Sequence, residues 1–128
     1  MSKMTDLILK QSWVHYPRSI FRFFHSRGSV SFIWMLFVDK RKYLLEEEIL
    51  NSETQGFIYP TAKLIKETGL VRRRVEEVIE YLVERGFLKK ERTKTIPPQN
   101  LYFIQDDAFE KAFTEFLEKE EQERFLKK

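Results

Sequence analysis

Apolar positions fall into a run of distinct periodicities. From Val30 to Val38 nearly every position is apolar, as expected of a helix buried on all sides. Past Asp39 the pattern thins to Tyr43, Leu44, Leu45, Ile49 and Leu50, which predicts an amphipathic continuation with one buried side. Gly28 interrupts the chain ahead of it, and Ser29 or Ser31 is a candidate N-cap. Phe57 to Tyr59 reads as a short strand. Pro60 and Thr61 open a second helix with Ala62, Leu64 and Ile65 facing inward, and Gly69 ends it in the left-handed conformation. A third helix runs from about Val71 to Arg85, with Val71, Val75, Val78, Ile79 and Leu82 at helical spacing, and Gly86 stops it. "FLKKERTK" and "NLYFIQ" then read as two strands, joined by "TIPPQ", whose prolines keep the connection stiff and out of regular pairing.

Both ends carry aromatic segments. Pro17 disfavours helix at the residue before it, so Trp13 to Tyr16 is predicted to be extended. Pro17 itself can open a short helix bearing Ile20, Phe21, Phe23 and Phe24, with Arg18 and Arg22 four apart on one face. At the other end a long helix begins at Asp106 or Asp107, either of which can cap it. Its stripe is Phe109, Ala112, Phe113, Phe116 and Leu117; beyond Glu118 the stripe fades until Phe125 and Leu126.

Helix, short strand, helix, glycine turn, helix and hairpin, in that order, describe a winged helix-turn-helix. The predicted fold is mainly α with a small β-hairpin wing and an additional C-terminal helix. The chain of 128 residues is read as a single domain. Residues 1–27 form an aromatic N-terminal segment, 28–105 the winged-helix core and 106–128 the C-terminal helix.

Composition narrows the function classes. There is no cysteine, which excludes disulfides and thiolate metal sites. The opening "MSKMTDLILKQSW" lacks the apolar stretch and small-residue cleavage site of a signal peptide. The longest apolar run, Phe32 to Val38, is too short to span a membrane. A cytoplasmic protein without membrane contact is expected. No phosphate-binding glycine motif is present, and His15 and His25 have no acid cluster near them. Neither an enzyme, a cofactor nor a small-molecule substrate is expected, and the glutamates at 46–48 read as a solvated face.

Charge is uneven along the chain. Residues 57–104 hold ten basic side chains against six acidic ones, and residues 1–27 five against one. Residues 28–56 are net −2 and residues 105–128 net −3. Positive charge gathered locally in this way is the footprint expected of a nucleic-acid partner.

The chemistry concentrates in "TGLVRRRVEEV". Arg72, Arg73 and Arg74 fill the first turn of the third helix, where helix-end electrostatics prefer acids. At about 100° per residue, Arg73 points away from the core and Arg72 and Arg74 flank it on opposite sides. That turn approaches base edges in a helix-turn-helix, and a guanidinium can donate two hydrogen bonds to guanine or phosphate. Arg72–Glu76 and Arg73–Glu77 are also spaced for internal ion pairs. Glu77, Glu80 and Glu84 share the outer face, so the helix is expected to enter a groove end-on; Glu77 can alternatively accept from a cytosine amino group. In the wing, alternation puts Lys90, Arg92 and Lys94 on one side and Lys89 on the other. Lys63 and Lys66 of the second helix, with Tyr59 and Thr61 at its start, are candidates for phosphate contacts. Gln99 and Asn100 read as turn formers. The candidate DNA-binding set is Thr61, Lys63, Arg72, Arg73, Arg74, Lys90, Arg92 and Lys94.

"WVHYPRSIF", "FIYPTAKLIKETGLVRRRVEEVIEYLVERGFLKKER" and "PPQNLYFI" together resemble the N-terminal winged-helix domain of plasmid replication initiators and phage replisome organisers. The resemblance covers roughly residues 12–105. It implies double-stranded DNA binding, often as a dimer. The sequence departs from that pattern at Val71, where a Ser or Thr cap is usual. No second domain follows, which turns the expectation towards transcriptional regulation, with replication initiation and a protein–protein interaction module as alternatives. A homodimer is expected through the C-terminal helix, at Phe109, Phe113, Phe116 and Leu117. The competing expectation is that this face closes over the chain's own core.

Overall fold

A computed structural model describes residues 2–10 and 16–126. The extended reading at Trp13 to Tyr16 lies outside the described residues except for Tyr16, as does His15. Six helices and three strands run in the order α1 (Lys3–Leu9), α2 (Arg18–Phe23), α3 (Gly28–Glu46), β1 (Phe57–Ile58), α4 (Thr61–Thr68), α5 (Arg72–Glu84), β2 (Leu88–Arg92), β3 (Asn100–Ile104) and α6 (Asp106–Leu126).

Helix α3 is the centre of the core. Val30, Ile33, Trp34, Leu36 and Phe37 are buried, as a stretch apolar on nearly all faces requires. Neither predicted serine caps it. Arg27 occupies the N-cap position, and Ser31 lies inside the helix, its hydroxyl donating to the carbonyls of Arg27 and Gly28. The amphipathic continuation also ends sooner than expected. The helix stops at Glu46 and Glu48 turns to φ 60°, which shifts the phase of the next residues. Leu44 and Leu50 are buried, whereas Tyr43 and Ile49 point to solvent.

The helix-turn-helix is α4 and α5. Gly69 takes φ 72° at the α4 C-cap and its N–H bonds to the Ile65 carbonyl at 2.8 Å. A side chain there meets a backbone cost of about 1–2 kcal/mol. Val75, Val78, Ile79 and Leu82 of α5 are buried as predicted. Val71 is not part of that face: it sits at the N-cap and is exposed. Ala62 is exposed too, leaving Leu64 as the buried anchor of α4.

The wing is part of a three-stranded antiparallel sheet of order β1-β3-β2. Phe57 pairs with Tyr102, while Leu88, Lys90 and Arg92 pair with Ile104, Tyr102 and Asn100. Directly paired residues share a sheet face. Leu88, Tyr102 and Ile104 are buried, so Lys90 and Arg92 lie on the core-facing side of the hairpin. Gly56 backs the opposite face, where an added Cβ would come within 2.7 Å of the Phe103 ring.

Helix α6 closes over the core. Phe23 of α2 is a hub whose ring centroid lies 5.4–5.5 Å from those of Phe109, Phe113 and Phe116, and 5.0 Å and 5.8 Å from those of Phe24 and Phe87. The stripe proposed from sequence as a dimer face is therefore the inner face of α6. Leu117 alone of that set stays exposed. Two ion pairs fix the helix. Arg41 donates to both oxygens of Asp106 at 2.7 Å, so Asp106 serves as a tether to α3. Arg22 donates to both oxygens of Glu120 at 2.8 and 3.0 Å. Helix α1, capped by Ser2 accepting from the Thr5 N–H, buries no residue.

The molecule is a winged helix-turn-helix with an additional C-terminal helix.

Candidate nucleic-acid interface

The three arginines of α5 fan out because successive helix positions turn by about 100°. Arg73 is the outermost, with its side chain 91% exposed, and its Nε lies 3.2 Å from Glu77. Arg72 leans towards the wing and sits 3.8 Å from Glu76. Arg74 leans the other way: its Nη2 donates to the Ser29 hydroxyl of α3 at 2.9 Å, and its Nη1 lies 3.4 Å from Glu77. Both spacings expected for internal pairs are thus occupied. Exposed pairs of this kind hold their partners by well under 1 kcal/mol, so Arg72 and Arg73 stay available to a stronger anion. Arg74 is more constrained, since it also bridges α5 to the start of α3.

Between α5 and the wing runs a cleft in two parts, each of about 250 Å³. Arg72, Arg92, Gln99, Asn100 and Thr61 line the first, with Pro98. Glu76, Glu80, Lys90, Asn100 and Thr61 line the second. Thr61 borders both because it opens α4 beside the hairpin. Arg92 is held at the loop end of the wing strands: its Nη1 donates to Asn100 Oδ1 at 3.0 Å, and Asn100 Nδ2 donates to the Tyr102 hydroxyl at 3.4 Å. Burial pushes the Tyr102 phenol up, and the Asn100 hydrogen bond works against that. Asn100, expected only to form a turn, is therefore a bracket for Arg92.

On the outer face of the wing Lys89 pairs with Glu91 at 3.0 Å and lies over the Phe103 ring. Lys90, Arg92 and Lys94 have no carboxylate partner among the described residues. Lys94 stands exposed in the connection between β2 and β3.

One expected contact is placed elsewhere. Tyr59 is buried and donates its hydroxyl to Glu67. With its proton given to Glu67 and its ring buried, it does not offer a hydroxyl to a phosphate; burial, then that carboxylate, also push its phenol far above the usual range. Lys63 lies beside Lys40 of α3. Burial and then the Lys63 charge lower the Lys40 ammonium below its ordinary value.

Two cations outside the expected set stand on the far flank of α5. Arg27 lies over the Tyr81 ring at 5.5 Å, and Arg85 lies 5.8 Å from the same ring. Tyr81 and Arg85 are seven and eleven residues beyond Arg74, which repeats a single helix flank. That spacing is visible in the sequence; the approach of Arg27 is not.

Among the described residues no group of three or more His, Asp or Glu side chains is placed to hold a metal ion. None of the described helices is long and apolar enough to cross a membrane.

A solved structure titled "N-Terminal domain of DNA binding protein" is similar to this chain, with a TM-score of 0.56 over 82% of this chain and 81% of that one. The sequences are 11% identical, so the likeness is one of fold. No protein-family model matches the chain, and no curated protein does.

Proposed function

We propose that this protein binds double-stranded DNA in a sequence-specific manner and regulates transcription. The observation that carries the reading is the convergence of Arg72 from α5 and Arg92 from the wing on one cleft. The two side chains are twenty residues apart in the chain and stand on different elements. In this reading Arg73 reaches base edges from the first turn of α5. Lys90, Arg92 and Lys94 hold phosphates and fix the register. Glu80 and Glu84 lie further along α5, so the helix enters end-on and keeps them out of the groove. The likeness to a domain whose title names DNA binding supports this.

The resemblance of residues 12–105 to replication initiators supports a second reading, in which the DNA is a replication origin. Selection of bound duplexes from a random pool tests both. A single short motif enriched in the pool supports specific recognition. If its genomic matches lie singly at promoters, regulation is supported; if they lie in tandem arrays, origin binding is. An unenriched pool contradicts sequence-specific binding.

We further propose that the protein acts as a homodimer, with the contact moved away from the Phe109 stripe. Met4 and Ile8 of α1, and Phe125 and Leu126 at the end of α6, are exposed apolar side chains. The N-terminal segment is net positive and the C-terminal one net negative, so the two ends of different copies complement each other. Two domains lengthen the site and favour a palindrome. Light scattering at tens of micromolar tests this: twice the monomer mass is expected, and Phe125→Glu should halve it. A monomer mass for the unaltered chain contradicts it.

A further inference from the structure

We infer that the flank of α5 opposite the wing carries a second contact for the DNA backbone, made by Arg27 and Arg85 around Tyr81. The inference rests on the reading that the chain binds duplex DNA.

Arg74, Tyr81 and Arg85 form a row along one flank of α5, about 16 Å long at 1.5 Å per residue. Arg74 reaches Ser29 at the start of α3, and Arg27, two residues before Ser29, covers Tyr81. Arg85 Nη1 donates to the Tyr81 hydroxyl at 2.8 Å, and its guanidinium lies 4.9 Å from the Phe87 ring. The start of α3 and this flank of α5 are thus joined by side-chain contacts that bring Arg27, Arg74 and Arg85 onto one side.

What sets Arg27 and Arg85 apart is how their charge is held. Arg72, Arg73 and Arg74 each have a glutamate within 4 Å. Among the described residues Arg27 and Arg85 have none, and the Arg27 guanidinium has no hydrogen-bond acceptor. Aromatic faces orient a guanidinium and leave its charge uncompensated. Two such cations within 6 Å of one ring centroid repel each other, and an anion seated between them relieves that repulsion. Their planar forks suit phosphate oxygens. The wing occupies the opposite flank, so a duplex that meets Arg73 in its groove presents one backbone to Lys90 and Arg92. The backbone across the groove then falls on the side of Arg27 and Arg85. A phosphodiester is favoured over an acidic peptide because the row is parallel to the helix whose first turn carries Arg73.

The test uses the full chain and a mixed-sequence duplex, with fluorescence anisotropy over a salt series and hydroxyl-radical footprinting. Arg27→Ala should make the slope of log affinity against log salt shallower by about 0.9, the value for one lost phosphate contact. It should also remove protection from one strand only, and Lys90→Ala should remove protection from the other. Arg85→Ala is the independent second variant and should act like Arg27→Ala. Arg27→Lys should restore the slope. Unchanged slope and footprint in both alanine variants, with the unaltered chain still binding, overturn this inference and leave duplex binding standing. Polyglutamate that binds the unaltered chain without displacing DNA, and only while Arg27 and Arg85 are intact, overturns it in the same way. Failure of the unaltered chain to bind any duplex overturns both.

Discussion

Phe23 of α2 stacks on Phe113 of α6 with ring centroids 5.4 Å apart and planes 30° apart. The contact assigns the long terminal helix to the core of its own domain. It also accounts for the heavy use of phenylalanine, since Phe24, Phe87, Phe109 and Phe116 all meet the same ring. Phe113→Ala should therefore cost about 2–4 kcal/mol, less than a fully buried phenylalanine because one edge is exposed. Urea denaturation measures it. A change below about 0.5 kcal/mol would show that α6 is an appendage.

Much of this arrangement is legible in the chain. Burial on one side leaves a periodic trace, so α3, α5 and the inner stripe of α6 can be read from spacing. Helix α1 buries nothing and leaves no such trace. Ile49 departs from its expected side because the backbone reverses at Glu48, and phase cannot be carried through a reversal. Counting alone places the arginine triplet around α5. The tie from Arg74 to Ser29 spans 45 residues and the bracket from Asn100 to Arg92 depends on strand register, so neither is written in local pattern. Tyr59 stands beside Thr61 in the chain, but Glu67, two turns further along, takes its hydroxyl, and only the fold brings that pair together.

The turn between α4 and α5 gives a second prediction. Gly69 has φ 72° and open space around it, so Gly69→Ala meets strain without a clash. A loss of about 1–2 kcal/mol in thermal or urea unfolding is expected, and Gly69→Asn should recover part of it. Equal stability of the glycine and alanine forms would contradict a left-handed cap.

Acid should loosen the end of α6. The hydrogen bond from Arg22 holds the Glu120 carboxyl below its ordinary value. A carboxylate depressed in the folded state contributes stability that is present above its unfolded value and lost as pH falls through the folded one. Thermal midpoints followed from about pH 6 to pH 3 should fall less steeply in Glu120→Gln than in the unaltered chain. Parallel curves would show that the pair does not couple to folding.

Base reading and backbone holding should separate by mutation. Arg73→Ala should cost about 1–3 kcal/mol on the preferred duplex and relax sequence preference, while Lys90→Ala should weaken all duplexes about equally. Competition binding with point-changed duplexes reads the difference. Sequence preference untouched in Arg73→Ala would move the reading residue elsewhere.

The central claim is that the wing and the first turn of α5 grip the DNA backbone and groove, and salt tests it most directly. Affinity of the full chain for duplex DNA should fall linearly on logarithmic axes as salt rises. With Arg72, Lys90, Arg92 and Lys94 on phosphates, the slope should be about −3 to −4, steepening to about −5 with Arg27 and Arg85 added. Binding that is indifferent to salt, or absent from every duplex at low salt, would contradict it.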